Sequence, residues 1–204
     1  MVRSFAKSCN CSFANIGLSL DRGAFSETLT ELMFGTELPS PFAYKKSSIA
    51  VTSDVDDSEL VQASIGQGTT LMSPLHLNMI TAAIANDGVL MTPMVISGIE
   101  NVNGNLVKKY EPENYGRLMS SGEAEYLTEL MTAVVETGTG DFLKEAEYTS
   151  AGKTGSAEYG TQKGDSHAWF TGFAPAEEPK VAVTIIIEGA GSGGDYAVPV
   201  AKRI

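Results

Sequence analysis

Between positions 4 and 20 the apolar residues Phe5, Cys9, Phe13, Ile16 and Leu20 recur at steps of three and four, the repeat that gathers side chains on one face of an α-helix. The spacing predicts one buried helix over 4–20, with Cys9 and Cys11 as packing residues on it. A second helical run over 25–34 carries Leu29, Leu32 and Met33 and stops at Gly35, ahead of Pro39 and Pro41. Residues 35–57 lose all periodicity and gather Asp54, Asp56 and Asp57, so a solvated surface loop is expected there. Ser73-Pro74 then opens a helix, with Ser placed to cap it and Pro in the first turn, and it runs to the turn signal Asn86-Asp87-Gly88. Strands over 89–99 and 105–110 flank Asn103-Gly104, a hairpin signature. A helix capped by Ser120 or Ser121 follows, carrying Leu127, Leu130, Met131, Val134 and Val135 and ending at Thr137-Gly138-Thr139-Gly140. Three extended segments come last, over 148–159, 167–174 and 181–188, and a short helix start over 197–204. The third segment is the most uniformly apolar and is expected to be the most buried. Helices followed by an antiparallel meander give an α+β fold, with an antiparallel sheet packed with helices.

Composition narrows the function classes. The 204 residues suit one large domain with a real core. Asp and Glu number 25 against 14 Lys and Arg, leaving a net charge of −11, which opposes binding to phosphate backbones, so no nucleic-acid partner is expected. The longest uniform apolar stretch, 181–187, falls far short of the roughly 18 residues that cross a bilayer, and Asn10, Ser12 and Asn15 interrupt any signal-peptide core. Two cysteines and two histidines without ligand spacing point to no metal site. His76 and His167 read as structural, and Gly191-Ser192-Gly193-Gly194 as a turn, because no Lys-Ser/Thr follows it.

Candidate chemistry sits in two short motifs. Lys153-Thr154-Gly155-Ser156 places a cation, two hydroxyls and a bare glycine on one predicted strand. Strand alternation puts Lys153 and Gly155 on one face and Thr154 and Ser156 on the other, with Gly155 leaving room for a ligand backbone. Far upstream, Ser8-Cys9-Asn10 sets a hydroxyl beside an amide that both donates and accepts. Trp169, on the next strand, is a candidate cleft wall.

Together, Ser-x-Asn and a later Lys-Thr-Gly-Ser match two of the three motifs of the active-site serine penicillin-recognising enzymes. The likeness extends through Ser4-Phe5-Ala6-Lys7-Ser8-Cys9-Asn10, Ala63-Ser64-Ile65-Gly66-Gln67-Gly68, Ser73-Pro74-Leu75, Ala82 to Gly88, Gly152 to Glu158, and His167-Ala168-Trp169-Phe170-Thr171-Gly172-Phe173-Ala174-Pro175. The chain therefore resembles a penicillin-binding protein transpeptidase domain, with residues 1–204 as its C-terminal portion. Leu38-Pro39 after Phe34-Gly35 resembles the peptidoglycan synthases more than class A β-lactamases.

The resemblance implies a β-lactamase/transpeptidase-like fold and acyl transfer from the D-Ala-D-Ala end of a peptidoglycan stem peptide through a serine ester to an amine. β-Lactam antibiotics are then suicide acylators, and no cofactor is needed. It implies a proton relay at Ser8, a positive charge from Lys153, an amide hold by Asn10, and carboxylate contacts from Thr154 and Ser156. It further implies that the backbone N–H of Ser156 serves half of an oxyanion hole. Substrate contacts at Gly155 and Trp169 complete the expected site. The Ser-x-x-Lys nucleophile of this family should lie several dozen residues before Ser-x-Asn, and the two literal matches, Ser4 to Lys7 and Ser150 to Lys153, fit no such placement. No nucleophile is thus expected in this chain, which should lack the N-terminal elements of the domain and be inactive alone, with uncovered apolar surface that favours self-association. The intact protein is expected at the extracytoplasmic face of a bacterial membrane, held by an upstream anchor and working with cell-wall synthesis partners. A β-lactamase or D,D-carboxypeptidase outcome, or a non-catalytic β-lactam-sensing or peptidoglycan-binding module, remain the alternatives.

Overall fold

The computed structural model of the chain describes residues 1–159 and 165–204. Its N-terminal third is helical, but the helix expected over 4–20 is two helices, α1 (Val2–Ala6) and α2 (Asn10–Ser19). The break follows from a left-handed helix stop. Ser8 takes φ 51, its N–H donates to the Phe5 carbonyl at 3.0 Å, and the Cys9 N–H reaches the Ser4 carbonyl at 2.9 Å, the paired bonds of a Schellman motif. Apolar spacing continues through such a stop, which is why periodicity alone did not see it. The same break overturns the packing role of Cys11, which is exposed, while Cys9 is half-buried at the α2 N-cap.

Helix α3 (Arg22–Glu31) is capped by Asp21, whose carboxylate accepts from the Ala24 N–H. The segment 35–57 is irregular as expected, yet not merely solvated. Leu38 is buried with Met33, Met79 and Leu90, and Val51 and Val55 are buried with Leu29 and Leu60; single apolar anchors without a period left no sequence pattern. Helix α4 (Asp57–Ser64), capped by Asp56, went unpredicted. Helix α5 (Pro74–Ala85) is capped by Ser73 through the His76 N–H, as the sequence indicated.

The strand expected over 89–99 is split into β1 (Val89–Met91) and β2 (Gly98–Glu100), with Pro93 in the gap denying a ladder donor. β2 pairs with β3 (Leu106–Lys109) in the predicted hairpin, and β1 pairs with β4 (Asn114–Arg117), a polar strand without apolar alternation. Helix α6 (Ser121–Thr137) opens with a reciprocal capping box between Ser120 and Glu123, which satisfies two otherwise orphaned donors.

The last third supplies the main sheet, in the antiparallel order β5 (Ala151–Glu158), β6 (Ser166–Ala174), β7 (Val181–Ile187). The deepest strand is β6, not β7: Ala168, Phe170 and Phe173 are at most 3% exposed, whereas Val181 is 55% exposed. Position in the sheet decides this, since β6 is central and β7 is an edge. Helix α5 packs on one face, where a buried hydroxyl chain joins Thr81 to Thr171 at 2.7 Å and Thr171 to Thr184 at 2.6 Å. A π-helical turn (Gly193–Ala197) and α7 (Val198–Ala201) cover the other, setting Ala197 and Val198 against Ala168 and Phe170. Helix α6 packs Met131 with Ala151 and Phe173 on the α5 side, and Val135 with Ala168 and Phe170 on the α7 side. This leaves β5 as an edge strand beside the N-terminal helices.

Candidate active site

The stop between α1 and α2 carries Ser8 to the edge strand. The Lys153 Nζ donates to Ser8 Oγ at 2.8 Å and to the Thr154 carbonyl at 2.6 Å, a contact between residues 145 apart in sequence. A non-glycine residue at positive φ is costly, on the order of 1 kcal/mol, and here that strain places a hydroxyl where glycine would offer none. The Phe5 ring lies 5.8 Å from the amine and meets Phe13 edge-on at 6.0 Å. Burial pushes the Lys153 amine down to about 8 from its usual 10.5. It therefore holds its proton at neutral pH but gives it up far more readily than a solvated lysine, the property wanted in a group that passes protons. Ser8 accepts from the amine and keeps its own hydrogen for the cleft.

These groups open on a cleft of ≈ 460 Å³ lined by Ser8 and Asn10 from the N-terminal break, Lys153 to Ser156 from β5, and Thr139 and Ser192 from flanking loops. Six of the seven residues singled out from sequence thus share one cleft, and Trp169 does not. It lines an adjoining space of ≈ 520 Å³ along β5, which shares Gln67 and Lys153 to Ser156 with the cleft and adds Leu77, Tyr159 and His167. Strand register explains the placement, since Trp169 pairs with Gly155 on the Lys153 face. Gly155 lines both spaces. Its bare face is met within the fold: a Cβ there would stand 3.2 Å from the Trp169 Cβ, and a Cβ on Gly193 would collide with the Gly155 carbonyl at 2.3 Å. The Gly193 backbone comes this close to β5 because Gly193 itself carries no Cβ.

On the opposite face, Thr154 is buried and its hydroxyl lies 2.5 Å from that of Thr139. Ser156 is exposed, and its Oγ accepts from the Gly193 N–H at 3.2 Å. Gln67 Nε2 reaches the Ser156 carbonyl at 3.3 Å across the cleft. Thr139, Gln67 and Ser192 carry no chemistry in isolation and were missed; the glycines on either side of Thr139 and after Ser192 were the available signal of close packing.

Neither serine of the two literal Ser-x-x-Lys matches lines the cleft. Ser150 is buried at the far end of β5 in an apolar groove with Leu143, Phe170 and Ala201, and Ser4 lies in α1 behind Ser8. His76 is 1% exposed, with Nε2 at 2.7 Å from the Leu32 carbonyl, and His167 stacks on Tyr159 while accepting from the Gly189 N–H. Among the described residues no group of three or more His, Cys, Asp or Glu side chains is placed to hold a metal ion.

The chain is similar to known proteins along its whole length. It is 35% identical over 207 aligned residues to a peptidoglycan D,D-transpeptidase, PbpA, of Mycolicibacterium smegmatis, an alignment that takes in 98% of this chain and 42% of that protein. A D,D-transpeptidase, MrdA, of Haemophilus influenzae is 30% identical over 72% of this chain and 25% of its own length. Among solved structures, penicillin-binding protein A of Mycobacterium tuberculosis as its ceftriaxone acyl-enzyme superposes with a TM-score of 0.85 at 29% identity, over 98% of this chain and 46% of that one. The D,D-transpeptidase domain of an Eggerthella lenta peptidoglycan glycosyltransferase does so with a TM-score of 0.85 at 26% identity, over 99% and 52%. The chain spans less than half the length of the PbpA relative it matches. With residues 1–204 matching the penicillin binding protein transpeptidase domain and both motifs meeting in one cleft, the chain belongs to that family.

Proposed function

We propose that this chain forms the substrate-binding and proton-relay half of a peptidoglycan D,D-transpeptidase site. The observation that carries the reading is the Lys153 amine held on the Ser8 hydroxyl at 2.8 Å within the shared cleft. In this reading a serine attacks the carbonyl of the penultimate D-Ala of a stem peptide, and Ser8 hands a proton to the leaving D-Ala nitrogen. The Lys153 ammonium replenishes that proton and stabilises the negative charge nearby. A neighbouring amine then takes the acyl group, and β-lactams stop the cycle at the serine ester. Asn10 holds the substrate amide, Thr154 and Ser156 meet the carboxylate, and the Ser156 N–H faces the developing oxyanion.

Neither Ser4 nor Ser150 lines the cleft, so the attacking serine is assigned to a segment outside these residues. The substrate polymer places the intact protein on the extracytoplasmic face of the membrane, held there by an anchor not among these residues. Among the described residues no helix is long and apolar enough to cross a membrane. The apolar groove around Phe170, Phe173 and Val183 is the surface through which the isolated chain would self-associate.

Intact-mass spectrometry after incubation with benzylpenicillin tests the reading on the 204-residue chain beside the full-length gene product. A penicilloyl adduct on the full-length product alone is expected. An adduct on the short chain overturns the assignment of the nucleophile, and none on either overturns the transpeptidase reading.

A further inference from the structure

The loop that ends α6 is fastened to both halves of the cleft. The Thr139 N–H donates to the Ala6 carbonyl at 3.1 Å, at the end of the helix that leads into Ser8. Gly138 has to be glycine there, since a Cβ would stand 2.2 Å from that same carbonyl. On its other side the Thr139 carbonyl is approached by Gly194, whose Cβ would lie 2.8 Å away. The Thr139 side chain then turns to β5, where its Oγ1 lies 2.5 Å from Thr154 Oγ1.

Hydroxyls have one hydrogen each, so what a hydroxyl offers a ligand depends on what the scaffold gives it. Ser156 accepts from the Gly193 N–H, which leaves its hydrogen free for the cleft. Thr154 has a hydroxyl, not a backbone N–H, as its neighbour. When a carboxylate, which only accepts, sits against Thr154, the Thr154 hydrogen goes to the ligand and the Thr139 hydrogen must fill the space between the two oxygens.

We propose that Thr139 is a positioning residue for carboxylate recognition, its hydroxyl donating to Thr154 so that Thr154 donates to the ligand. The proposal rests on the assignment of Thr154 and Ser156 as carboxylate contacts. It adds a residue from a third stretch of chain to the two motifs. The backbone of the loop does not depend on this hydroxyl, because Gly138 and Gly140 both donate to the Val134 carbonyl at 3.0 Å; removing the hydroxyl alone leaves the loop in place.

Acylation rates of the full-length gene product are measured with benzylpenicillin and with its carboxamide, in which the anion is gone but the β-lactam remains. Thr139→Val keeps the branched shape and removes the donor; it should slow acylation by benzylpenicillin about 3- to 10-fold, the range for a lost hydrogen bond between neutral groups. Acylation by the carboxamide should change less than about threefold, and Thr139→Ser should restore the wild-type preference for the acid. Thr139→Ala, with the same expectation, serves if the valine variant does not fold. Equal slowing with both compounds, or no slowing with either, overturns the proposal. A wild-type protein that does not prefer the acid overturns the carboxylate assignment of Thr154 and Ser156 itself, and this proposal with it.

Discussion

Replacing Lys153 with methionine keeps the unbranched stem of the side chain out to Cε and removes its amine, and the energetic signature of that change depends on pH. Burial lowers the amine from 10.5 to about 8 in the folded chain. Below pH 8 both folded and unfolded chains hold the proton, and the folded state bears the whole cost of a desolvated charge. Between pH 8 and 10.5 the unfolded chain binds more protons than the folded one, so this group makes stability rise with pH. A gap of about 2.5 pH units corresponds to about 3 kcal/mol at most, because the side chain is only partly buried and solvent screens it. Between pH 7 and pH 9.5 about 2 kcal/mol of this is recovered. Urea denaturation reads it directly, since Trp169 on β6 is the only tryptophan and its fluorescence follows the central strand. Wild type should gain about 2 kcal/mol on Lys153→Met over that pH interval, every other titrating group being common to both proteins. A stability difference that stays constant with pH refutes the reasoning and means the amine is effectively solvated.

Ser8→Gly relieves strain worth up to about 1 kcal/mol at φ 51 but takes the Oγ acceptor from the Lys153 amine, so it should melt at or slightly below the wild-type temperature. Benzylpenicillin acylation of the full-length product should fall at least about 100-fold; unchanged acylation would remove Ser8 from the relay. Gly17→Ala puts a Cβ 1.8 Å from Ser64 Oγ and should cost about 2 kcal/mol in chemical denaturation. Ser64→Gly should relieve it, with a coupling of at least about 1 kcal/mol in a double-mutant cycle, and additive effects would mean α2 and α4 shift apart freely. Ser120→Ala opens the α6 capping box and should cost about 1 kcal/mol in thermal unfolding.

Local grammar was enough for α5, α6 and the β2–β3 hairpin, where a cap, a period and a turn pair agree within one short stretch. The three strands of the main sheet were equally plain, and so were Lys153, Thr154 and Ser156 on one of them. What sequence reading lost depends on neighbours far along the chain. Strand β4 is polar and exists because β1 needs a partner. The burial rank of β6 over β7 is a matter of who lies in the middle. Ser8 was singled out, but the left-handed stop that aims it was hidden inside an unbroken apolar period. Thr139 and Gln67 matter only through the strand they touch, and Trp169 lines the adjoining space that shares Lys153 to Ser156 with the cleft, a division that a one-dimensional motif does not reveal.

The separation of Ser8 from Lys153 by 145 residues also fixes an order of events during folding. Helices such as α6 and the hairpin close over short distances and form early, whereas contacts that join distant segments must wait for the chain between them to be organised. The hydroxyl bond between α5 and β6 spans 90 residues and the Gln67 bond to β5 spans 89, both shorter closures than the one that brings Ser8 to Lys153. A refolding chain therefore gains its tryptophan environment on β6 before Ser8 meets Lys153. The complete cleft is on this account a late product of folding, assembled only after the sheet that carries Lys153 is in place.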